Sequence, residues 1–212
     1  MARRKKEPKS VHREKIASAA SVLFMERGIA ATSMDDIAKA AGYSKATLYV
    51  YFENKEEIVG ILALDSMKKL YHYIASALEQ QQTTKEQYDF ICRGLVQYQE
   101  EFPFYFKMVL DKINIDFERH DYLPEEKETY QIGEEINEKL KEFLISGIDK
   151  GDLRRDLKIM PAIFVFWGML SGLIQLAENK EEYIKKAMGL SKVKFLEHGF
   201  HMLYCSIADS GE

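Results

Sequence analysis

Only two cysteines occur in the 212 residues, Cys92 and Cys205, and no Cys-x-x-Cys pair is possible. Two thiols cannot build the disulfide framework of a small secreted domain. A reducing cytoplasmic setting is therefore expected, with both thiols acting as small buried hydrophobes. Proline is also scarce, at 4 residues, and glycine numbers 12. Turn-rich sandwiches and barrels need more of both, whereas this chain is rich in Glu, Lys, Ala, Leu, Ile and Met, so an all-α fold of long helices is expected. No alternating strand pattern survives comparison with the helical one, and no internal repeat is found. Gly-rich phosphate loops and a His-Glu-x-x-His pattern are missing as well. The nearest approach to a metal site is His198 and His201 with Glu197, and two histidines on a final helix are more commonly surface or interface residues. No catalytic residue, metal or cofactor is expected, and hence no enzyme. The basic start, Arg3 to Lys6 and Lys9, could open a signal peptide, but Val11 to Lys15 supply no apolar stretch, so no export signal is read.

What is present is a core-forming chain with uneven charge. Hydrophobic residues are 46% and charged residues 30%, which is neither a disordered nor a fibrous composition. The net charge of −4 conceals two unlike parts. Up to Lys55 there are 11 Lys and Arg against 6 Asp and Glu, a net of +5; beyond it 19 against 28, a net of −9. Such asymmetry suggests that the first quarter meets a polyanion while the rest does something else. One segment, Ile159 to Ala177, is 19 residues without a charge, with Gly168 and Gly172 in a small-xxx-small pattern. By length it could span a bilayer. It also holds Pro161, Ser171 and Gln175, and a protein-buried helix looks the same, which is the reading preferred here. Its glycines would then let another helix approach, most simply across a subunit interface.

Helix punctuation divides the chain. Ser10 precedes an amphipathic stretch with Ile16, Ala19, Ala20, Leu23 and Phe24, stopped by Gly28. Ser33 with Asp36 forms a capping box for a second helix ending at Gly42. Ser44 caps a short third helix, Lys45 to Val50, and Asn54 with Glu57 caps a long fourth one to about Gln82. Thr84 with Gln87 opens the next; Pro103 starts a short helix through Ile113. A polar break, Asn114 to Leu123, follows, then a helix from Pro124 to Lys150. Pro161 opens the apolar helix, Asn179 with Glu182 caps a short piece, and Ser191 begins a last helix with Val193, Leu196, Phe200, Leu203 and Ile207 on one stripe.

The functional unit is helix, glycine turn, helix between Ser33 and Val50. An α-helix with side chains is ~10–12 Å across and the major groove of DNA ~12 Å wide, so the second helix of such a pair can enter the groove. Leu48 and Phe52 are expected to anchor it inward, while Ser44, Lys45, Thr47, Tyr49 and Tyr51 offer donors outward. The run TSMDDIAKAAGYSKATLYVYFENKEEI, Thr32 to Ile58, resembles the DNA-binding signature of the TetR (TetR/AcrR) transcriptional regulators, and the likeness covers about Ser10 to Ile61. The resemblance implies that Ser33 caps its helix and touches phosphate. It further implies that Ser44, Lys45, Ala46 and Thr47 begin the recognition helix, that Tyr49 and Tyr51 contact backbone or bases, and that Lys55 reaches a phosphate. Lys45 is the best candidate for direct base reading, since lysine can donate to guanine O6 and N7. The basic tail would add nonspecific contacts.

The resemblance also implies two parts: residues 1–55 as the helix-turn-helix DNA-binding domain with its basic tail, and 56–212 as an all-helical effector-binding and dimerisation domain, nine or so helices in all. The homodimer is expected through the helices at about 161–178 and 191–208, and no membrane is involved. Most aromatic residues beyond Lys55 are expected to be core, with Tyr98, Phe102, Phe106 and Trp167 the choices for lining an apolar effector pocket between helices. A ligand that prefers a different spacing of the two recognition helices weakens operator binding, with the fourth helix as transmitter, and repression relieved by effector is the outcome the family implies. The alternative is a DNA-binding protein without effector that acts through a protein partner on its acidic half.

Overall fold

The computed structural model describes residues 7–79, 83–110 and 123–209. The basic tail Arg3 to Lys6, the polar break up to residue 122 and the helix ends expected at Gln82 and Ile113 lie outside the described residues. Among the described residues every regular element is a helix: α1 (Lys9–Arg27), α2 (Met34–Ala41), α3 (Lys45–Tyr51), α4 (Lys55–Glu79), α5 (Thr84–Glu101), α6 (Pro103–Leu110), α7 (Pro124–Asp149), α8 (Ile159–Asn179), α9 (Glu181–Met188) and α10 (Lys192–Cys205).

Local chemistry explains most boundaries. Ser33 and Asp36 form the reciprocal capping box at the start of α2. Gly42 ends that helix in the left-handed region at φ +75°, where a Cβ would be strained. Ser44 accepts from the Thr47 N–H at 3.1 Å, and Asn54 Oδ1 accepts from the Glu57 N–H at 2.9 Å. Four expected starts are corrected. Helix α1 begins at Lys9 behind Pro8, whose carbonyl accepts from Val11, so Ser10 lies in the first turn and caps nothing. The capping box of α5 is Thr83 with Glu86, one residue early, because Thr84 is turned into the core. Helix α8 begins two residues before Pro161, which the first turn tolerates because its N–H would be unpaired there anyway. Asn179 ends α8 with its side-chain oxygen accepting from Gln175, and α9 starts without a side-chain cap.

Among the described residues the helices pack as two units, one of residues 7–67, 104–110 and 123–130 and one of 68–79, 83–103 and 131–209, so the division falls within α4 and α7. In the first, Ile16, Ala20 and Phe24 of α1, Ile37 and Ala41 of α2, Leu48 of α3, Phe52, and Ile58 and Leu62 of α4 make one continuous core. Phe104, Tyr105 and Met108 of α6 lie against it, and the Ser66 hydroxyl donates to the Tyr105 carbonyl at 3.1 Å.

The second unit is built from α5, α8 and α10 with the adjoining parts of α4 and α7 and with α9. Tyr88, Leu95 and Tyr98 of α5 are buried, as are Phe143 and Leu144 of α7, Leu170 and Ile174 of α8, and Leu196 and Phe200 of α10. The Tyr88 hydroxyl donates to the Phe200 carbonyl at 2.9 Å. Close approach is forced at Gly147, where a Cβ would stand 2.7 Å from Leu153 Cγ and 2.9 Å from Thr84 Cγ2.

Two expectations about burial change. Cys92 is buried, which pushes its thiol up to about 12, but Cys205 in the last turn of α10 is exposed, because it lies on the face of that helix turned away from the core. Helix α8 is long and apolar enough to cross a bilayer, yet only 22% of its most apolar stretch is buried. Ile163, Leu170, Ser171, Ile174 and Ala177 face inward, whereas Phe164, Val165, Gly168, Gly172 and Leu176 open to solvent. The helix is therefore covered on one side, not all round.

Candidate nucleic-acid interface and apolar cavity

Helix α3 has seven residues, too few to be stable alone. Its inner side is held by Leu48 and by Phe52 just beyond its end, both almost wholly buried. Its C-terminal end is held by Arg13 of α1, which donates to the Tyr51 carbonyl at 2.8 Å and lies over the Phe52 ring, 4.4 Å from its centroid. The same guanidinium donates to Glu125 at the start of α7 at 3.0 Å and stands 3.8 Å from Glu57 of α4. One partly buried cation thus ties α1, α3, α4 and α7 within the first unit.

The side chains expected to meet DNA divide into two sets. Ser44, Lys45, Ala46 and Tyr49 are exposed on α3 and its cap, with Thr47 half-exposed beside them. The Ser44 and Thr47 hydroxyls are 2.8 Å apart, so each is oriented by the other. Lys45 Nζ is 2.8 Å from Asp35 Oδ1 of α2, and this hydrogen bond and charge raise the lysine pKa. Both side chains are exposed, so the pair is weak and easily exchanged for a stronger anion. Ser33 is exposed, its hydroxyl donating to Asp36 at 2.5 Å. Those bonds, with Arg27 at 3.2 Å, hold the Asp36 carboxyl below its ordinary value. The cap therefore contributes to stability at neutral pH and loses that contribution as pH falls through the lowered value.

The second set is engaged internally. Tyr51 is half-buried, its ring 5.0 Å from that of His12 and 6.1 Å from that of Tyr43. His12 Nδ1 and the Tyr43 hydroxyl are 2.6 Å apart. Lys55 donates to the carbonyls of Ile29 and Thr32 at 2.7 and 3.0 Å, closing the turn between α1 and α2. An ammonium has three donors, so these two bonds leave the third unused by them. Motif matching missed Arg13, His12, Tyr43 and Asp35. Arg13 and Asp35 act on residues 38 and 10 positions away, and no local spacing signals such pairs.

In the second unit a cavity of about 40 Å³ is lined by Ile74, Tyr88, Ile91, Leu95, Leu140, Phe143, Leu144, Ala162, Ile163, Phe166, Trp167, Leu170 and Ile207, with almost no polar atom facing it. Of the four aromatics expected at a pocket, only Trp167 is there. Tyr98 is fully buried with its ring 5.6 Å from Tyr73 and 5.9 Å from Phe102, and Phe102 has Lys69 5.3 Å from its centroid. Phe106 is buried in the first unit. Periodicity marks all four as inward-facing and cannot separate a core ring from one that borders a void. Ligand pockets are typically ~300–1,000 Å³, so a ligand entering here must move side chains. Among the described residues no group of three or more His, Cys, Asp or Glu could hold a metal ion. His201 Nε2 is 3.6 Å from Cys205 Sγ on the exposed side of α10.

Residues 16–60 match the profile of the bacterial regulatory proteins, tetR family. The chain is 40% identical over 79 residues to the HTH-type transcriptional regulator TtgR of Pseudomonas putida, a match that takes in 37% of each protein, little more than a third of that relative's length. The ketosteroid transcriptional regulator KstR2 of Mycobacterium tuberculosis is similar in fold, with a TM-score of 0.69 at 18% identity over 97% of each chain. So is the transcriptional regulator FadR of Bacillus subtilis in complex with stearoyl-CoA, with a TM-score of 0.66 at 19% identity over 90% of this chain and 97% of that one.

Arg13→Ala removes the partner of a backbone carbonyl and of two carboxylates. It is expected to cost about 1.5–3 kcal/mol, the range for hydrogen bonds to charged groups, read from denaturant midpoints; a change under ~0.5 kcal/mol would mean the bridge carries no stability.

Proposed function

The chain belongs to the TetR family of bacterial regulatory proteins, and from that premise we propose that it is a cytoplasmic, dimeric repressor released from operator DNA by a small apolar ligand. The observation that carries the reading is the outer face of α3. A short helix fixed to a rigid core presents Lys45, Thr47 and Tyr49 to solvent, on the part of the chain whose net charge is positive. A helix so presented fits the major groove, and Lys45, released from Asp35, has the chemistry to donate to guanine O6 and N7. Ser33, Ser44, Tyr49 and the remaining donor of Lys55 are suited to phosphates. Tyr51 acts by orienting α3 through His12 and Tyr43. The functional division at residue 55 is part of the same reading.

The exposed side of α8 supports dimerisation there, together with α10. Phe164, Val165 and Leu176 leave apolar surface in water, and no atom comes within 4 Å of a Cβ built on Gly168 or Gly172, so a second helix has room to approach. A symmetric dimer would hold its recognition helices ~34–36 Å apart to engage successive major grooves. A ligand favouring another spacing lowers operator affinity, typically by ~5–150-fold. The cavity supports an effector whose bound part is hydrocarbon, since its walls offer almost nothing to a polar group. The names of two fold neighbours, a ketosteroid regulator and one bound to stearoyl-CoA, agree with that chemistry. Its smallness means that binding entails rearrangement, which is what coupling requires. Helix α4, whose residues belong to both units, is the transmitter in this reading.

Selection of bound duplexes from a randomised pool tests the operator reading. Lys45→Ala is expected to lose ~1–3 kcal/mol and relax one base position; unchanged selectivity removes Lys45 as a reader. Gly172→Trp is expected to give monomers by sedimentation, and a persistent dimer would move the interface elsewhere. Ala162→Phe fills the cavity and should abolish thermal stabilisation by apolar ligands while operator binding survives; stabilisation equal to that of the unaltered protein would place the effector outside this cavity.

A further inference from the structure

Resting on the reading of α3 as the recognition helix, we infer that Ala46 and Val50 read thymine through its C5 methyl group, so that each operator half-site carries thymines at positions fixed by these two residues. Val50 has 66% of its surface exposed, more than any other large apolar side chain exposed among the described residues. Ala46, exposed as well, lies four residues earlier. Residues at i and i+4 share one face of a helix, so the two form a continuous apolar strip. The opposite face is the one sunk in the core through Leu48. Thus the strip is turned outward by the anchoring of the helix itself.

In water such a strip gains nothing. In a major groove the apolar group that protrudes from a base edge is the thymine methyl, and small aliphatic side chains are suited to it. Valine is apt for the purpose, because its branched Cβ leaves χ1 stiff and its two methyls are held in place before binding. The spacing also agrees. Four residues of helix advance ~6 Å and base pairs along a strand recur every ~3.4 Å, so the two contacts fall within about two base pairs of one another. Lys45, one residue before Ala46, would place its donor beside the same strip, at a guanine. The half-site is therefore expected to combine a guanine with one or two neighbouring thymines.

The test uses the full chain and the duplex obtained from a randomised pool. Each thymine of the half-site is replaced singly by deoxyuridine, which removes the methyl group and leaves the hydrogen-bonding edge unchanged. Affinity should fall about fourfold or more, the worth of one buried methylene, at one or two positions. Val50→Ala should abolish the sensitivity at one of those positions and Ala46→Ser at the other. Val50→Thr, nearly isosteric and keeping one methyl group, checks that folding is unaltered and should retain part of the thymine preference that Val50→Ala loses. If the unaltered protein binds its selected sequence equally with thymine or deoxyuridine everywhere, methyl reading is overturned while operator binding stands. Sensitivity that persists in both variants would assign it to other residues and overturn this inference. A pool that yields no enriched sequence would overturn operator binding, and methyl reading with it.

Discussion

A helix of seven residues in water costs more to nucleate than its few hydrogen bonds return, and everything proposed for this protein depends on α3 nevertheless being held still. Leu48 and Phe52 supply the hydrophobic part of the hold, Ser44 caps one end and Arg13 secures the carbonyl of Tyr51 at the other. With every inward position of the helix committed to the core, the outward positions are free to be chosen for recognition. That is why the exposed residues of α3 form an unusual surface, with a lysine, an apolar strip and a tyrosine side by side, and why an alanine and a valine can stand in solvent without loss of fold.

Charge is arranged at short range as well as along the chain. Lys45 is not a bare cation: Asp35 of α2 holds it in the free protein. An exposed pair of this kind is worth little in stability, but it directs the lysine, and in the proposed function a duplex would have to displace the carboxylate. Arg13 is different, because it is partly buried and satisfied from several directions. Its bond to Glu125 brings the start of α7 into the support of α3, so a displacement of that end of α7 has a direct physical means of being felt at α3.

The second unit shows incomplete coverage on the outward side of α8, where apolar residues and two glycines lie open, and at the small void that Trp167 borders. Apolar surface left in water and space left in a core both cost stability. In the proposed function each would be room for another molecule, a second copy of the chain in one case and a hydrocarbon in the other.

The sequence by itself determined the helical class, the order of the helices, the capping box of α2, the cap of α3 and the turn between them, and the inward role of Leu48 and Phe52. These are local matters: a cap acts over three residues and an amphipathic face over four. Cap assignments slipped where a neighbouring residue of similar type was equally eligible, as with Thr83 and Thr84. Only the tertiary structure decided that Tyr51 stacks on His12, that Lys55 closes a turn, that Asp35 holds Lys45, and that Tyr98, Phe102 and Phe106 lie away from the cavity that Trp167 borders. Each of those outcomes depends on side chains distant in sequence meeting in space, and periodicity reports which way a residue faces without saying what it faces.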